Sequence, residues 1–272
     1  MASPVFARML RATERGAFPG LRRLVWRGAY NAISRIWRQP RWAFLNYGYL
    51  PPEGPIPLAP GDEAERAFIG LYHQAVAGLP MAGARVLEVG SGHGGGAAFL
   101  ARSTGAAFVT GVDLSAATVR LARRLHARVP NLAFQEGDAE ALPFPDASFD
   151  ILVNIESSHC YGSMDRFVAE AARVLRPGGW LTWADMRSPA MLPDLDRAFA
   201  APGLVLEAQT ELNAGVVAAL EAMDAEKAEA IARYGPLRPV LREFAGMRGS
   251  LLHGGLARRQ VLYLARRYRK PG

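Results

Sequence analysis

The sequence predicts an α/β fold: a mostly parallel sheet with helices on both faces. Three observations carry this. Short apolar runs of strand composition alternate with segments of helical periodicity from residue 85 to about 185, which implies parallel pairing through crossover helices. The first run, Arg85-Val-Leu-Glu-Val89, opens directly into a glycine cluster, Gly90-Ser-Gly-His-Gly-Gly-Gly96, as a strand does before a tight turn and a helix N-terminus. Half of the 272 residues are hydrophobic, enough for the large core such a sandwich needs.

The elements follow in order. Residues 1–45 carry nine Arg against one Glu, interleaved with Trp26, Tyr30, Ile33, Ile36, Trp37, Trp42 and Phe44. This reads as a helical arm that lies on a membrane interface or covers the core or a dimer partner; Ser is too scarce for a mitochondrial leader. Five prolines and two glycines in residues 50–61 make an extended connector. Arm and connector (1–61) thus precede a domain spanning 62–272. Asp62 and Glu65 have the spacing of a capping signal for a helix over 63–78. Then come strand 85–90, helix 95–104, strand 107–112, helix 116–128, strands 131–136 and 149–155, helix 164–175 and strand 179–185. A strand at 203–210, helices at 214–233 and 237–246 and a last strand at 260–267 complete the chain. The helices of about 190–250 form a cover before the last strand. Leu212, Val216, Val217, Leu220 and Met223 give that cover an apolar stripe, of the kind that is usually core and here has the option of lining a greasy pocket.

Composition excludes several classes. A single cysteine, Cys160, rules out an internal disulfide and fits a reducing cytoplasm. The apolar runs are too short to cross a bilayer, and no secretory signal is visible. The net charge of +7 is concentrated at the two ends, since residues 256–272 add five Arg and one Lys with no acid. The stretch between is accordingly acidic, which disfavours nucleic acid. The basic ends suit peripheral contact with a membrane or a carrier protein, or a homodimer.

Four features fall at predicted strand ends, where such sheets bind ligands. The first is the turn Glu88–Gly94. Gly90, Gly92 and Gly94 let the backbone approach a ligand closely, and Glu88 beside them suits a cofactor carrying positive charge. Gly90, Gly92 and Gly95 also satisfy the pattern of dinucleotide binders. The second is Asp113, placed to accept hydrogen bonds from two ribose hydroxyls. The third is Gly137-Asp138-Ala139-Glu140, where an acid can accept from an exocyclic adenine amine. The fourth is Asn154-Ile155-Glu156, followed by Ser157-Ser158-His159-Cys160-Tyr161. Arg173-Val-Leu-Arg-Pro-Gly-Gly179 then turns into the fifth strand.

Taken together, these motifs, with Leu142-Pro-Phe-Pro-Asp-Ala-Ser-Phe-Asp150, resemble the class I S-adenosylmethionine-dependent methyltransferases over residues 63–186. Asn46-Tyr-Gly-Tyr49, Leu71-Tyr-His73, Gly92-His-Gly-Gly-Gly96, Glu156-Ser-Ser-His-Cys-Tyr161 and Trp183-Ala-Asp-Met-Arg187 are similar, more narrowly, to the phthiotriol dimycocerosate and fatty-acid O-methyltransferases. The resemblance implies a Rossmann-like sheet and S-adenosylmethionine as cofactor. It also implies a hydrophobic lipid or polyketide acceptor, methylated on a hydroxyl or carboxyl oxygen. Its cofactor set is Glu88, Gly90, Ser91, Gly92, Gly94, Asp113, Leu114, Asp138, Ala139, Glu140, Asn154 and Ile155, with Tyr47 (and Tyr49) closing over the site. His159 is the candidate base, with a structural loop histidine as the alternative. Asp185 orients it, binds the acceptor, or simply caps the next turn. His93 packs near the methionine end. No catalytic metal is expected, since His73, His126 and His253 lack ligand spacing. The same cofactor half would equally serve a C- or N-methyltransferase of a natural product, or a non-methylating cyclase or scaffold.

Overall fold

The computed structural model describes residues 43–272. Of the expected arm, Trp26, Tyr30, Ile33, Ile36, Trp37 and Trp42 lie outside the described residues. Seven strands form one sheet: β1 (Arg85–Val89), β2 (Phe108–Asp113), β3 (Leu132–Glu136), β4 (Phe149–Ile155), β5 (Leu175–Arg187), β6 (Val205–Glu211) and β7 (Leu262–Arg269). Their order is β3-β2-β1-β4-β5-β7-β6. β1 to β5 run parallel, while β7 is antiparallel to both β5 and β6.

Strand residues alternate between two apolar layers, as the pleat requires. On one face, Val86, Val109, Ile151 and Val153 pack with Ile69 and Leu71 of α1 (Arg66–Val76), Leu100 of α2 (Gly95–Ser103) and Val119 of α3 (Ala116–Leu125). On the other, Leu87, Leu152 and Trp183 pack with Phe167 of α4 (Met164–Val174) and Phe199 of α5 (Leu192–Ala200). Ser115 and Ser163 cap α3 and α4 by accepting from the third residue on, Thr118 N and Arg166 N, which satisfies donors the helix itself leaves open. Strand order reverses between β1 and β4, so a cleft opens at their C-terminal ends.

The described residues depart from the expected elements where tertiary context overrides local signals. Residues 63–78 are not one helix: Pro60–Glu65 is a 3₁₀ turn, and α1 starts only at Arg66 without a side-chain cap. Asp62, the expected cap, instead accepts from Arg102 at 2.9 Å. The Arg-Pro-Gly-Gly turn lies inside β5 as an irregularity, with pairing passing from Phe149↔Leu175 to Ile151↔Trp180. The predicted helix 214–233 is broken at Met223 into α6 (Asn213–Ala222) and α7 (Asp224–Ala232). The one at 237–246 shortens to α8 (Arg238–Phe244). Two helices were not expected at all, α5 and α9 (Leu251–Ala257). They are nine and seven residues long.

Candidate active site

Residues 43–50 form a strap across the C-terminal end of the sheet. Its backbone is tied to four elements in turn. Gly95 N donates to Ala43 O at 2.9 Å, at the start of α2. Tyr47 N donates to Glu156 Oε1 at 2.9 Å, just past β4. Tyr49 N reaches Ala67 O of α1 at 2.8 Å, and Leu50 N reaches Gly215 O of α6 at 3.1 Å. Phe44 stacks on Phe68 and meets Tyr72 edge-on, with ring centroids 5.9 and 5.8 Å apart.

Beneath the strap is a cleft of about 1040 Å³, open mouth included. It is bordered by Gly90, Ser91, Gly92, Asp113, Leu114, Asp138, Ala139, Glu140 and Ile155 from the predicted set. Ala43 to Asn46, Tyr72, Gly96, Glu156, Ser157, Cys160 and Tyr161 also border it. Asp113 accepts from Gly92 N at 3.0 Å and Ser115 N at 2.9 Å, so the carboxylate fixes the glycine turn it faces. Asp138 accepts from Glu140 N at 3.0 Å, and Glu140 from Gly162 N at 2.7 Å. Gly90 has φ +78°, and a Cβ there would lie 2.4 Å from Ser157; only glycine makes this turn without strain.

Four predicted cofactor residues do not border the cleft. Glu88 lies behind its wall, 1 % exposed. Its Oε1 accepts from Tyr72 Oη at 2.5 Å, and burial raises its pKa to about 8. Gly94 packs against Phe134. Asn154 Nδ2 lies within hydrogen-bond distance of Val89 O, Ser157 Oγ and Tyr161 Oη, and its two hydrogens, shared among them, set two groups of the wall. Tyr47 turns away from the cleft: its hydroxyl donates to Phe244 O at 3.0 Å. Phe44, Leu45 and Asn46 take the place expected of it. Tyr49 is buried against Gly215. His93 is buried too, and its carbonyl meets His126 Nε2. The cover stripe is core: Leu212, Val216 and Leu220 join the main apolar layer.

Glu156 closes the fourth predicted strand-end feature but has no role in the predicted cofactor or catalytic set. It borders the cleft and accepts from both Tyr47 N and Tyr263 Oη, the latter at 2.7 Å. Its φ of +45° is unusual for a non-glycine residue and costs backbone energy that the surroundings must hold. No sequence signal announces this. Burial raises its pKa to about 7 against these two hydrogen bonds. The folded protein therefore binds this proton more tightly than the unfolded chain. The contribution to stability falls as pH climbs from about 4.5 to 7 and is constant above. Glu156→Gln keeps an acceptor oxygen without the charge. Its thermal stability relative to wild type is expected to be higher at pH 8 than at pH 5; equal offsets at both pH values would refute this.

His159 and Asp185 come together beside the cleft, next to the wall residue Cys160. His159 Nδ1 is 2.8 Å from Asp185 Oδ1, with the histidine side chain 22 % exposed and the aspartate fully buried. Asp185 also accepts from His159 N at 2.9 Å, Ser158 Oγ at 2.6 Å and Met186 N at 2.8 Å, and Arg187 lies 3.1 Å away. Burial would raise Asp185, but His159 and Arg187 outweigh it and hold the carboxyl well below its usual range. Burial likewise opposes charge on His159, yet Cys160 and Asp185 keep the imidazole well above its ordinary value. Among the described residues no group of His, Cys, Asp or Glu could hold a metal.

Comparison with known proteins matches residues 87–183 to a methyltransferase domain family. The chain is 40 % identical over 231 residues to the phthiotriol/phenolphthiotriol dimycocerosates methyltransferase of Mycobacterium leprae (strain TN), covering 84 % of this chain and 85 % of that one. It belongs to the S-adenosylmethionine-dependent methyltransferases. The fatty-acid O-methyltransferase of Mycolicibacterium smegmatis (strain ATCC 700084 / mc(2)155) is 42 % identical over 228 residues, 79 % of this chain and 82 % of the relative. Among solved structures, a putative sarcosine dimethylglycine methyltransferase from Galdieria sulphuraria superimposes with TM-score 0.71 at 17 % identity, over 88 % of this chain and 98 % of that one. The [4+2]-cyclase SpnF does so with TM-score 0.62 at 23 % identity, over 84 % and 88 %. These two establish the fold alone. The cofactor of the methyltransferase is S-adenosylmethionine, and the cleft fits it. The buried Ser91 Oγ, in the wall of the cleft, lacks a partner within the protein, and such an atom in a native structure calls for one. Asp113 and Asp138 border the same space with acceptor oxygens.

Proposed function

We propose that this methyltransferase modifies an oxygen, hydroxyl or carboxyl, of a long-chain lipid acceptor. The observation that carries the reading is the 40–42 % identity, over about four-fifths of the chain, to enzymes named for phthiotriol dimycocerosates and fatty acids. When bound, the cofactor supplies an activated methyl group on a positively charged sulfur. The chain's own residues hold, orient and handle protons. Asp113 and Asp138 bind the adenosine end through their acceptor oxygens, and the strap excludes water above it. Alignment of acceptor and donor is worth much of the rate by itself.

Asp185 holds His159 through Nδ1, which decides the direction of Nε2. With an alcohol acceptor, Nε2 takes the hydroxyl proton and Asp185 stabilises the resulting imidazolium. The raised pKa of His159 favours a second arrangement. An imidazolium already present at neutral pH donates to a carboxylate acceptor, which needs no deprotonation. The basic, aromatic N-terminal residues remain a proposed contact for membrane or carrier protein. Three of the six C-terminal cations are engaged internally: Arg266 with Asp196, Arg267 with Ala77 O and Lys270 with Ala172 O and Leu175 O. No helix among the described residues is long and apolar enough to cross a membrane.

The test is methyl transfer from labelled cofactor to a long-chain fatty acid and to a long-chain secondary alcohol across pH. Alcohol methylation is expected to rise with pH through a value above about 6.5, as His159 loses its proton. Ester formation is expected to be flat and then to fall over the same range. A product with a new C–CH₃ or N–CH₃ bond, or no transfer to either acceptor, overturns the proposal.

A further inference from the structure

The helices α7 and α8 pack around a small apolar centre of their own. Ile231 and Met247 are its buried members, with Ala228, Tyr234, Leu241 and Ala245 against them, separate from both layers of the sheet. On the outside of this unit the chain runs Arg233-Tyr-Gly-Pro-Leu-Arg-Pro-Val-Leu-Arg242. Leu237 is 57 % exposed, the most of any large apolar side chain among the described residues, and Val240 is 48 % exposed. Leu251, 41 % exposed, lies alongside, since its N–H donates to Glu243 Oε2.

Charge accompanies these apolar groups. The run holds three arginines and no acid. The Arg233 guanidinium lies 5.2 Å from the centre of the Tyr234 ring, and Arg238 is exposed. Nearby acids are turned to other partners: Glu243 to Leu251 N, Glu221 to Arg248 and His253, Asp224 to Arg248 N. Glu226 and Glu229 precede the run, on α7.

We propose that the outer face of residues 233–242 is a docking surface for an anionic lipid bilayer. Exposed Leu and Val ringed by Arg is what an interface of acyl chains beneath negative headgroups accommodates: the apolar tips enter the acyl boundary while guanidinium groups stay at phosphate level. Charge complementarity selects this partner over a second copy of the chain, whose identical arginines would oppose each other. The surface is separate from the basic termini and adjoins the strap. At the end of the same helix, Phe244 O accepts from Tyr47 Oη and Ala245 O accepts from Lys227 Nζ, and Tyr47 belongs to the strap.

Vesicle flotation of the full chain tests this, with phosphatidylcholine alone and with roughly a third phosphatidylglycerol, at low and high salt. Wild type is expected to float with the anionic vesicles only, and less at high salt. Leu237→Asp with Val240→Asp is expected to lower the partition at least tenfold. Arg233→Ser and Arg238→Ser are each expected to lower it about fivefold. All four positions are exposed, and unchanged binding of S-adenosylhomocysteine verifies that the variants fold. Three outcomes overturn the proposal. Wild type does not float with anionic vesicles; the variants float undiminished, placing the contact elsewhere, residues 1–42 included; or Leu237→Asp converts a dimer to a monomer, making a second copy the occupant.

Discussion

His159→Ala is expected to lower kcat on an alcohol acceptor by about 10²- to 10⁴-fold, the usual yield of a positioned base. Affinity for S-adenosylhomocysteine is expected to stay within twofold, roughly the scatter of a surface change, because His159 does not border the cofactor cleft. On a carboxylate acceptor the same substitution removes a charged hydrogen bond instead of a base. The loss then falls mainly on KM, by about ten- to a hundredfold. The KM-against-kcat split therefore reports which acceptor the site serves. Full turnover by His159→Ala on either acceptor would remove the residue from the chemistry and leave it as a loop histidine bonded to Asp185.

Gly96→Ala is expected to have the largest effect of any single methyl added to the cleft. Its Cβ would lie 1.9 Å from Tyr72 Cζ and 2.2 Å from Tyr72 Oη. Tyr72 cannot yield alone, being 6 % exposed, edge-on to Phe44 of the strap and bonded to Glu88. Moving the ring displaces the strap residue and strips the buried Glu88 of its donor. Overpacking of this kind costs about 1–3 kcal/mol of stability. Cofactor affinity is expected to fall more than tenfold, since Tyr72, Gly96 and Phe44 all border the same cleft. Gly61→Ala is the control, with no heavy atom within 4 Å of the added Cβ, and its expected change lies within about 0.5 kcal/mol. Calorimetric titration and thermal melts read both quantities; wild-type affinity in Gly96→Ala would contradict the assigned packing.

What the sequence made legible is what local chemistry dictates. The strand ends at Gly90, Asp113, Asp138 and Ile155 were readable because a tight turn or an acid at a strand tip is a local requirement, and all four border the cleft. The pairing of His159 with Asp185 was legible only as a juxtaposition of two strand ends. What sequence missed depends on distant contacts. Glu156 acquires its part from Tyr47 and Tyr263, 109 and 107 positions away. Tyr47 and Phe44 exchange roles because the strap's register is set by Gly95, Ala67 and Gly215, none of which the local sequence of the strap reveals. Asp62 lost its cap to an ion pair with Arg102, forty residues on.

The position of β7 between β5 and β6 governs the order in which this enzyme becomes able to work. β6 and the four helices α6 to α9 precede β7 along the chain, yet β6 pairs with nothing else in the sheet. Contacts that join β7 to β5 must close long intervening loops before they are rewarded, and such topologies form late and slowly. Until that strand is inserted, Tyr263 does not reach Glu156, and Glu156 holds the strap with one donor fewer. Completion of the strap's anchor at Glu156 is accordingly expected among the late steps of folding. The glycine turn and the acids Asp113 and Asp138 at the tips of β2 and β3 thus precede, along the chain, the strand that completes the sheet.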